Sequence, residues 1–332
     1  MMSLSALPVA VAVLALSAGA ASAKLSVSGE VAGPDGGWDY VTFDPVHRRL
    51  YVARTDGVTA LDVDTGTVTA RLVEAQRTHA AVPVNGGDEL AITSTTAGGV
   101  LIADAKTGEV RATVKTGAKP DAAFVEPTSG LLWVMDNAGG GVSLIDVKAR
   151  ARVATIPAAG ALESPATDGH GRVWINVEDK GEIVLLDAAF RTVKAHYKLE
   201  GCEEPSGLAY SPPDKRLVTV CANGVAKVVQ AANGKVVATL PIGPRGDTAV
   251  YDARRKVVYV PTGGDGRLTV VSPAKAKAVE VVTTRTGART QALDPKTGTL
   301  YLPAATFQPP AQAGGRPVAA PGSFVILKVT GS

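Results

Sequence analysis

YVTFDPVHRRLYVARTDGVTALDVDTGTVTARL, residues 40–72, carries four β-favouring runs separated by turn signals. The first run, Tyr40–Phe43, ends at Asp44-Pro45. The second, Leu50–Ala53, ends at Thr55-Asp56-Gly57, and the third, Val58–Val63, alternates. Asp62-Val63-Asp64-Thr65-Gly66 then supplies an Asp able to bond its own backbone and a Gly that tolerates positive φ. Val68–Leu72 is the fourth run. Four short strands with tight turns predict an antiparallel meander. No helical spacing of apolar residues competes over a comparable window.

Weaker copies of this unit follow to the C-terminus. The first-turn residue recurs as Asp44, Asn85, Glu126, Asp168, Ser211, Asp252 and Asp294, at intervals of 41 to 43 residues by subtraction. The second strand recurs as LYVAR from Leu50, LAITS from Leu90, LWVMD from Leu132, VWINV from Val173, LVTVC from Leu217, VYVPT from Val258 and LYLPA from Leu300. Such a period predicts an all-β, seven-bladed β-propeller with four-stranded antiparallel blades. One blade cannot bury both its faces, and radial packing in a closed ring does. Trp133 and Trp174 fall within second strands and read as core.

The ends of the chain complement each other. Lys24–Val31 belongs to no complete repeat, and the last repeat stops after its third strand, Phe324–Val329. The N-terminal strand is therefore expected to close the ring as the fourth strand of blade seven. Removing residues 24–31 is expected to destabilise far more than an ordinary terminal truncation. Within blade seven, Gln308–Gly322 (QPPAQAGGRPVAAPG) is too rich in Pro, Gly and Ala to pack a core. It reads as a projecting loop, either a lid or an incidental connection.

The repeat resembles the YVTN family of β-propellers, whose unit runs roughly P-x-G-V-A-V-x-P-D-G-x-x-x-Y-V-x-N and then V-S-V-I-D-x-x-T-G-x-V-x-x-T-I. LYVAR with DVDTGTVTARL in blade one, ADAKTGEVRATV in blade two and SLIDVKARARVATI in blade three carry the likeness, which extends over Lys24–Val329. The Asn expected after Y-V-x is replaced by Arg54, Asp136 and Cys221. The resemblance implies an exported propeller that binds another molecule, DNA in at least one relative, and related rings include lactonases and lyases. The motif residues build strands and turns, so the resemblance assigns no catalytic group.

Residues 1–23 predict an export leader: an apolar run from Ala6 to Leu16, then Ala21-Ser22-Ala23, a small-x-small cleavage pattern, with the mature propeller over 24–332. The segment has no Lys or Arg, so its only positive charge is the terminal amine. The run is short for a membrane span, and no membrane insertion is expected after cleavage. A periplasmic or secreted address suits Cys202 and Cys221, which precede the first strand and end the second strand of blade five, on one face; a disulfide is predicted. With 34 basic and 31 acidic residues, the net charge of +3 gives no general attraction for nucleic acid.

In a propeller the first strands line a channel, and their starting loops form one rim. Counting five residues back from each turn residue gives Asp39, Ala80, Asp121, Glu163, Ser206, Asp247 and Arg289. Four acids in these positions exceed expectation for a chain with 31 acids in 332 residues. Converging carboxylates favour protons, basic partners or a cation, so Asp39, Asp121, Glu163 and Asp247 are the candidate ligands of a Ca²⁺-like ion. The alternative is structural, with each carboxylate capping backbone NH groups of the adjacent blade. Trp38, Asp39, Tyr40, His79, Asp121, Arg245, Asp247 and Arg289 make the candidate ligand site. Closure brings Trp38, Asp39, Tyr40, Arg289 and Phe307 together, which suits a small polar ligand or simply inter-blade packing.

Three functions are carried forward. The first is non-catalytic binding of a small molecule or protein at the rim, with no cofactor. The second is a metal-assisted lactonase or lyase using the rim acids, with His79 as general base. The third is DNA binding through Arg77, Lys119, Arg245 and Arg289, which the interspersed acids disfavour. No H-E-x-x-H, G-x-S-x-G or G-x-G-x-x-G motif occurs.

Overall fold

The computed structural model describes residues 24–308 and 318–331. The predicted leader, residues 1–23, and most of the Pro/Gly/Ala-rich segment lie outside the described residues. The chain forms seven four-stranded antiparallel blades, as the period predicts. Blade one runs Trp38–Asp44, Arg49–Arg54, Gly57–Asp62 and Val68–Glu74 from the channel outward. The inner strands of the next four blades are Thr78–Val84, Pro120–Val125, Leu162–Thr167 and Pro205–Ser211. Those of blades six and seven are short, Val250–Asp252 and Ala292–Leu293. Blade seven is completed by Leu25–Ala32, which pairs antiparallel with Val325–Gly331 and closes the ring. A two-stranded hairpin, Phe307–Gln308 with Val318–Ala319, stands beside it. No helix among the described residues is long and apolar enough to cross a membrane.

The apolar core is a series of layers between blades. Tyr51, Val58 and Val73 of blade one pack on Leu90, Ile92 and Leu101 of blade two. Leu50 and Leu61 pack on Tyr301 and Ile326 across the closure. Each fully buried Leu, Ile or Val stabilises by about 1.5–3 kcal/mol, and no blade could obtain this alone. Trp133 and Trp174 are buried in these layers.

The recurring D-x-x-T-G turn works as its residues dictate. Asp62 Oδ1 accepts the NH groups of Asp64 and Thr65 at 3.1 and 2.8 Å. In blade two, Gly108 sits at φ 78°, and a Cβ there would lie 1.6 Å from the Leu72 carbonyl of blade one. The glycine thus permits both the turn and the close approach of adjacent blades. Cys202 and Cys221 form a disulfide with Cα atoms 5.3 Å apart, on the face where the inner strands begin.

A local irregularity positions the functional rim. In blades one to five the inner strand holds one extra residue near its start, and the ladder slips between Trp38 and Val41, Thr78 and Ala81, Pro120 and Ala123, Leu162 and Pro165, and Pro205 and Leu208. Such bulges re-aim side chains at the end of a sheet.

Candidate functional site at the channel mouth

The residue after each first rung faces this mouth: Asp39, His79, Asp121, Glu163, Ser206 and, after the Gly246–Thr262 bridge, Asp247. Blade seven contributes Arg289. His79, not Ala80, is therefore the blade-two position. Counting back from Asn85 places it one residue late, because Val84 pairs with Glu89 as Asp44 pairs with Arg49.

Three consecutive blades supply one tight cluster. Asp39, His79 and Asp121 each offer an atom within 4.8 Å of the others. His79 Nδ1 lies 2.8 Å from Asp39 Oδ2 and 3.8 Å from Asp121 Oδ1. Its Nε2 lies 2.9 Å from Thr95 Oγ1, in the turn after the second strand of blade two. Burial alone would lower the His79 pKa, but the Asp39 hydrogen bond and the charges of Asp121 and Asp39 outweigh it and raise it. Asp121 is pushed up to about 7, first by burial and then by the Asp39 charge. Thr93 Oγ1 accepts the Ala80 NH at 2.9 Å and donates to the Asp121 carbonyl at 2.7 Å, tying blades two and three together beneath the cluster.

The other two acids are held separately, so the four carboxylates do not form a single ligand set. Glu163 Oε1 accepts from Asn137 Nδ2 at 2.8 Å, and Asn137 Oδ1 accepts from Lys119 Nζ at 2.7 Å. The Tyr40 hydroxyl donates to Glu163 Oε2 at 3.1 Å and lies 3.1 Å from Ser164 Oγ. Tyr40 belongs to blade one and Glu163 to blade four, so the phenol reaches across the channel. Burial, followed by the charge of Asp121, pushes Glu163 up to about 9. The Tyr40 pKa rises by burial and then by the Glu163 charge. Asp247 Oδ2 lies 3.1 Å from Arg289 Nε, an ion pair across blades six and seven, and burial outweighs the guanidinium to push this acid up to about 6. A cavity of about 210 Å³ runs along the channel, walled by one residue or more from every blade, including Tyr40, Ala80, Ala122, Ser164, Leu208, Thr248 and Gln291.

Across the closure, Arg289 Nη2 donates to the Trp38 carbonyl and Thr290 Oγ1 to that of Asp39, each at 3.0 Å. The Trp38 ring packs against Phe324 and Phe307 at centroid distances of 5.2 and 6.1 Å. Beneath it Arg54, a residue outside the sequence-derived site, is buried with its guanidinium 4.0 Å from the Phe324 ring centroid. Burial lowers its pKa to about 10. Arg245, by contrast, is exposed. Thr95, Asn137 and Arg54 were all invisible to counting along inner strands. Each ends or follows a second strand, at or next to the position where the YVTN pattern carries its Asn.

Two other histidines pair with carboxylates away from the mouth. His47 Nδ1 lies 3.0 Å from Asp44 at the opposite face, and His196 Nδ1 lies 2.9 Å from Glu182 on the outer wall.

No family model matches the sequence, and no curated protein matches it. Among solved structures, the chain is similar to Kuenenia stuttgartiensis hydrazine synthase, with a TM-score of 0.70 and 18% identity over 83% of this chain and 95% of that one. It is also similar to a chain in the crystal structure of the mitotic checkpoint complex, with a TM-score of 0.73 and 16% identity over 91% and 95% of the two chains. At these identities the likeness establishes the propeller fold.

Proposed function

We propose that this is an exported propeller of the YVTN type that binds a small, positively charged ligand at the channel mouth without transforming it. The observation that carries this is the convergence of Asp39, Asp121, Glu163 and Asp247 on one mouth, where burial and neighbouring acids raise the pKa of the last three. A ligand cation among them offsets their mutual repulsion and displaces protons. Trp38 and Phe307 supply an aromatic wall beside the mouth for the apolar part of such a ligand. Export is supported by the leader-like segment and by the Cys202–Cys221 disulfide, which suits an oxidising compartment.

The lactonase or lyase reading asks His79 to act as general base. Its Nδ1 faces Asp39 and its Nε2 faces Thr95, so a substrate proton would have to displace one of these partners. The DNA reading needs four cations, and two of them are spent within the protein, Lys119 on Asn137 and Arg289 on Asp247. A protein partner docked through a basic side chain would use the same mouth.

Thermal melting with a panel of primary amines, guanidinium compounds and quaternary ammonium compounds tests the proposal. At least one should raise the melting temperature, with the shift lost in the Asp121→Asn/Asp247→Asn double variant. If no compound does so, the small-ligand reading is wrong, and retention on an immobilised basic peptide would move the function to a protein partner. Mass spectrometry of exported protein should find Lys24 as the first residue.

A further inference from the structure

We infer that Asp39, His79 and Asp121 form a mononuclear site for a divalent first-row transition ion of the zinc type, open to the channel mouth. The inference rests on the reading of the mouth as a cation site and narrows what occupies it. Two carboxylates and one imidazole converge from three adjacent blades. Metal bonds of about 2.0–2.2 Å place the ligand atoms of a tetrahedral site roughly 3.3–3.6 Å apart. The Nδ1 separations of 2.8 Å to Asp39 and 3.8 Å to Asp121 bracket that value, so small side-chain rotations suffice.

Two further features point to a ligand. The Asp121 side chain is only 9% exposed, and among the described residues no donor hydrogen-bonds its carboxylate, which is directed at His79. A carboxylate buried to this degree ordinarily takes a cation or several hydrogen bonds. Thr95 Oγ1, 2.9 Å from His79 Nε2, is placed to accept that N–H. This is the outer partner that ligating histidines use to fix ring orientation and leave the other nitrogen for the metal. The ion bonds the Nδ1 lone pair, which requires that nitrogen to be deprotonated, and a proton it shares with Asp39 in the metal-free protein leaves to solvent. The donor set also sets the metal class. Imidazole suits zinc-type ions, whereas calcium seeks six to eight oxygens. Glu163 and Asp247, committed to Tyr40 and Asn137 and to Arg289, stand outside the set. Three protein ligands leave a fourth position facing the mouth, the arrangement of an exchangeable rather than a closed structural site.

The full exported protein, stripped with chelator and dialysed, should be titrated with Zn²⁺ by calorimetry and with Co²⁺ by visible absorption. One ion per chain is expected. Asp121→Asn and His79→Gln should each weaken binding at least 100-fold, and Thr95→Val should weaken it roughly 10-fold by freeing the ring. His196→Gln, which breaks a comparable imidazole–carboxylate pair on the outer wall, should leave the affinity unchanged. Should Asp121→Asn fail to melt cooperatively, Asp39→Asn replaces it. Absence of Zn²⁺ and Co²⁺ binding, binding indifferent to both ligand variants, or equal loss in His196→Gln overturns the site. An organic cation that still raises the melting temperature in that event would leave the broader reading of the mouth standing.

Discussion

Acids sit at both ends of the same inner strands, and their surroundings are opposite. At the far end, Glu126 accepts the Thr128 and Ser129 NH groups and the Thr128 hydroxyl. Asp294 accepts from Lys296 NH, the Thr297 hydroxyl and Arg48. Burial alone would raise both, yet these donors outweigh it and hold both carboxyls below their ordinary values. At the mouth, Asp121, Glu163 and Asp247 face other acids, and each is raised, with burial the first cause. Glu126 follows the inner strand that carries Asp121, and Asp294 follows the inner strand of blade seven, which Arg289 precedes; what separates the two ends is the donors. The far-end acids are held by their own turns, whereas at the mouth Glu163 and Asp247 are held by side chains of other blades, and the Asp121 carboxylate has no hydrogen-bond donor among the described residues.

The largest effect expected from this contrast lies at the far end. Asp294→Ala strips the donors of Lys296, Thr297 and Arg48 from a fully buried position, at a cost of about 2–4 kcal/mol. Urea denaturation should show the lower midpoint with an unchanged slope. A loss under 1 kcal/mol would erase the distinction between the two ends.

Opposite pH dependences are expected next. A mouth acid with a raised folded pKa binds more protons folded than unfolded, so it subtracts stability as pH climbs from its unfolded pKa toward its folded one. For Asp247, Asp121 and Glu163 that window runs from about 4 to about 6, 7 and 9 respectively. Glu126 and Asp294 carry the other sign: their lowered pKa values add stability above the unfolded value, lost as pH falls through the folded one. Melting temperatures from pH 5 to 9 should therefore decline less steeply in Asp121→Asn/Glu163→Gln than in the unmodified chain. Parallel profiles would show that the mouth acids ionise freely.

The fold was legible because turn chemistry repeats. Asp62 to Gly66 announces itself, and Gly108 is required twice over, by φ and by the neighbouring blade. The mouth was legible only in outline. Asp39, Asp121, Glu163 and Asp247 follow from counting, but in blade two Val84, not Asn85, is the equivalent of Asp44, which shifts the mouth position from Ala80 to His79. The partners that set the chemistry, Thr95, Asn137 and Arg54, come from the ends of second strands, whose rung at the mouth depends on bulges that no local pattern marks. Channel width is a property of ring closure, so the reach of Tyr40 to blade four has no signature in the chain.

That reach also gives the smallest and most discriminating prediction. If Glu163 is already protonated at neutral pH, its exchange for Gln removes no charge and keeps a donor and an acceptor between Tyr40 and Asn137. Stability at pH 7 should then change by less than about 1 kcal/mol, against the several expected for a buried ionised carboxylate. The two variants, Glu163→Gln at the mouth and Asp294→Asn at the far end, are isosteric neutralisations of the same functional group. Asp294→Asn must place an amide against Arg48 and two turn donors, and it should cost more by chemical denaturation at the same pH. Equal losses would mean that Glu163 is an ion held by partners after all, and the mouth would then be built like the turns beneath it.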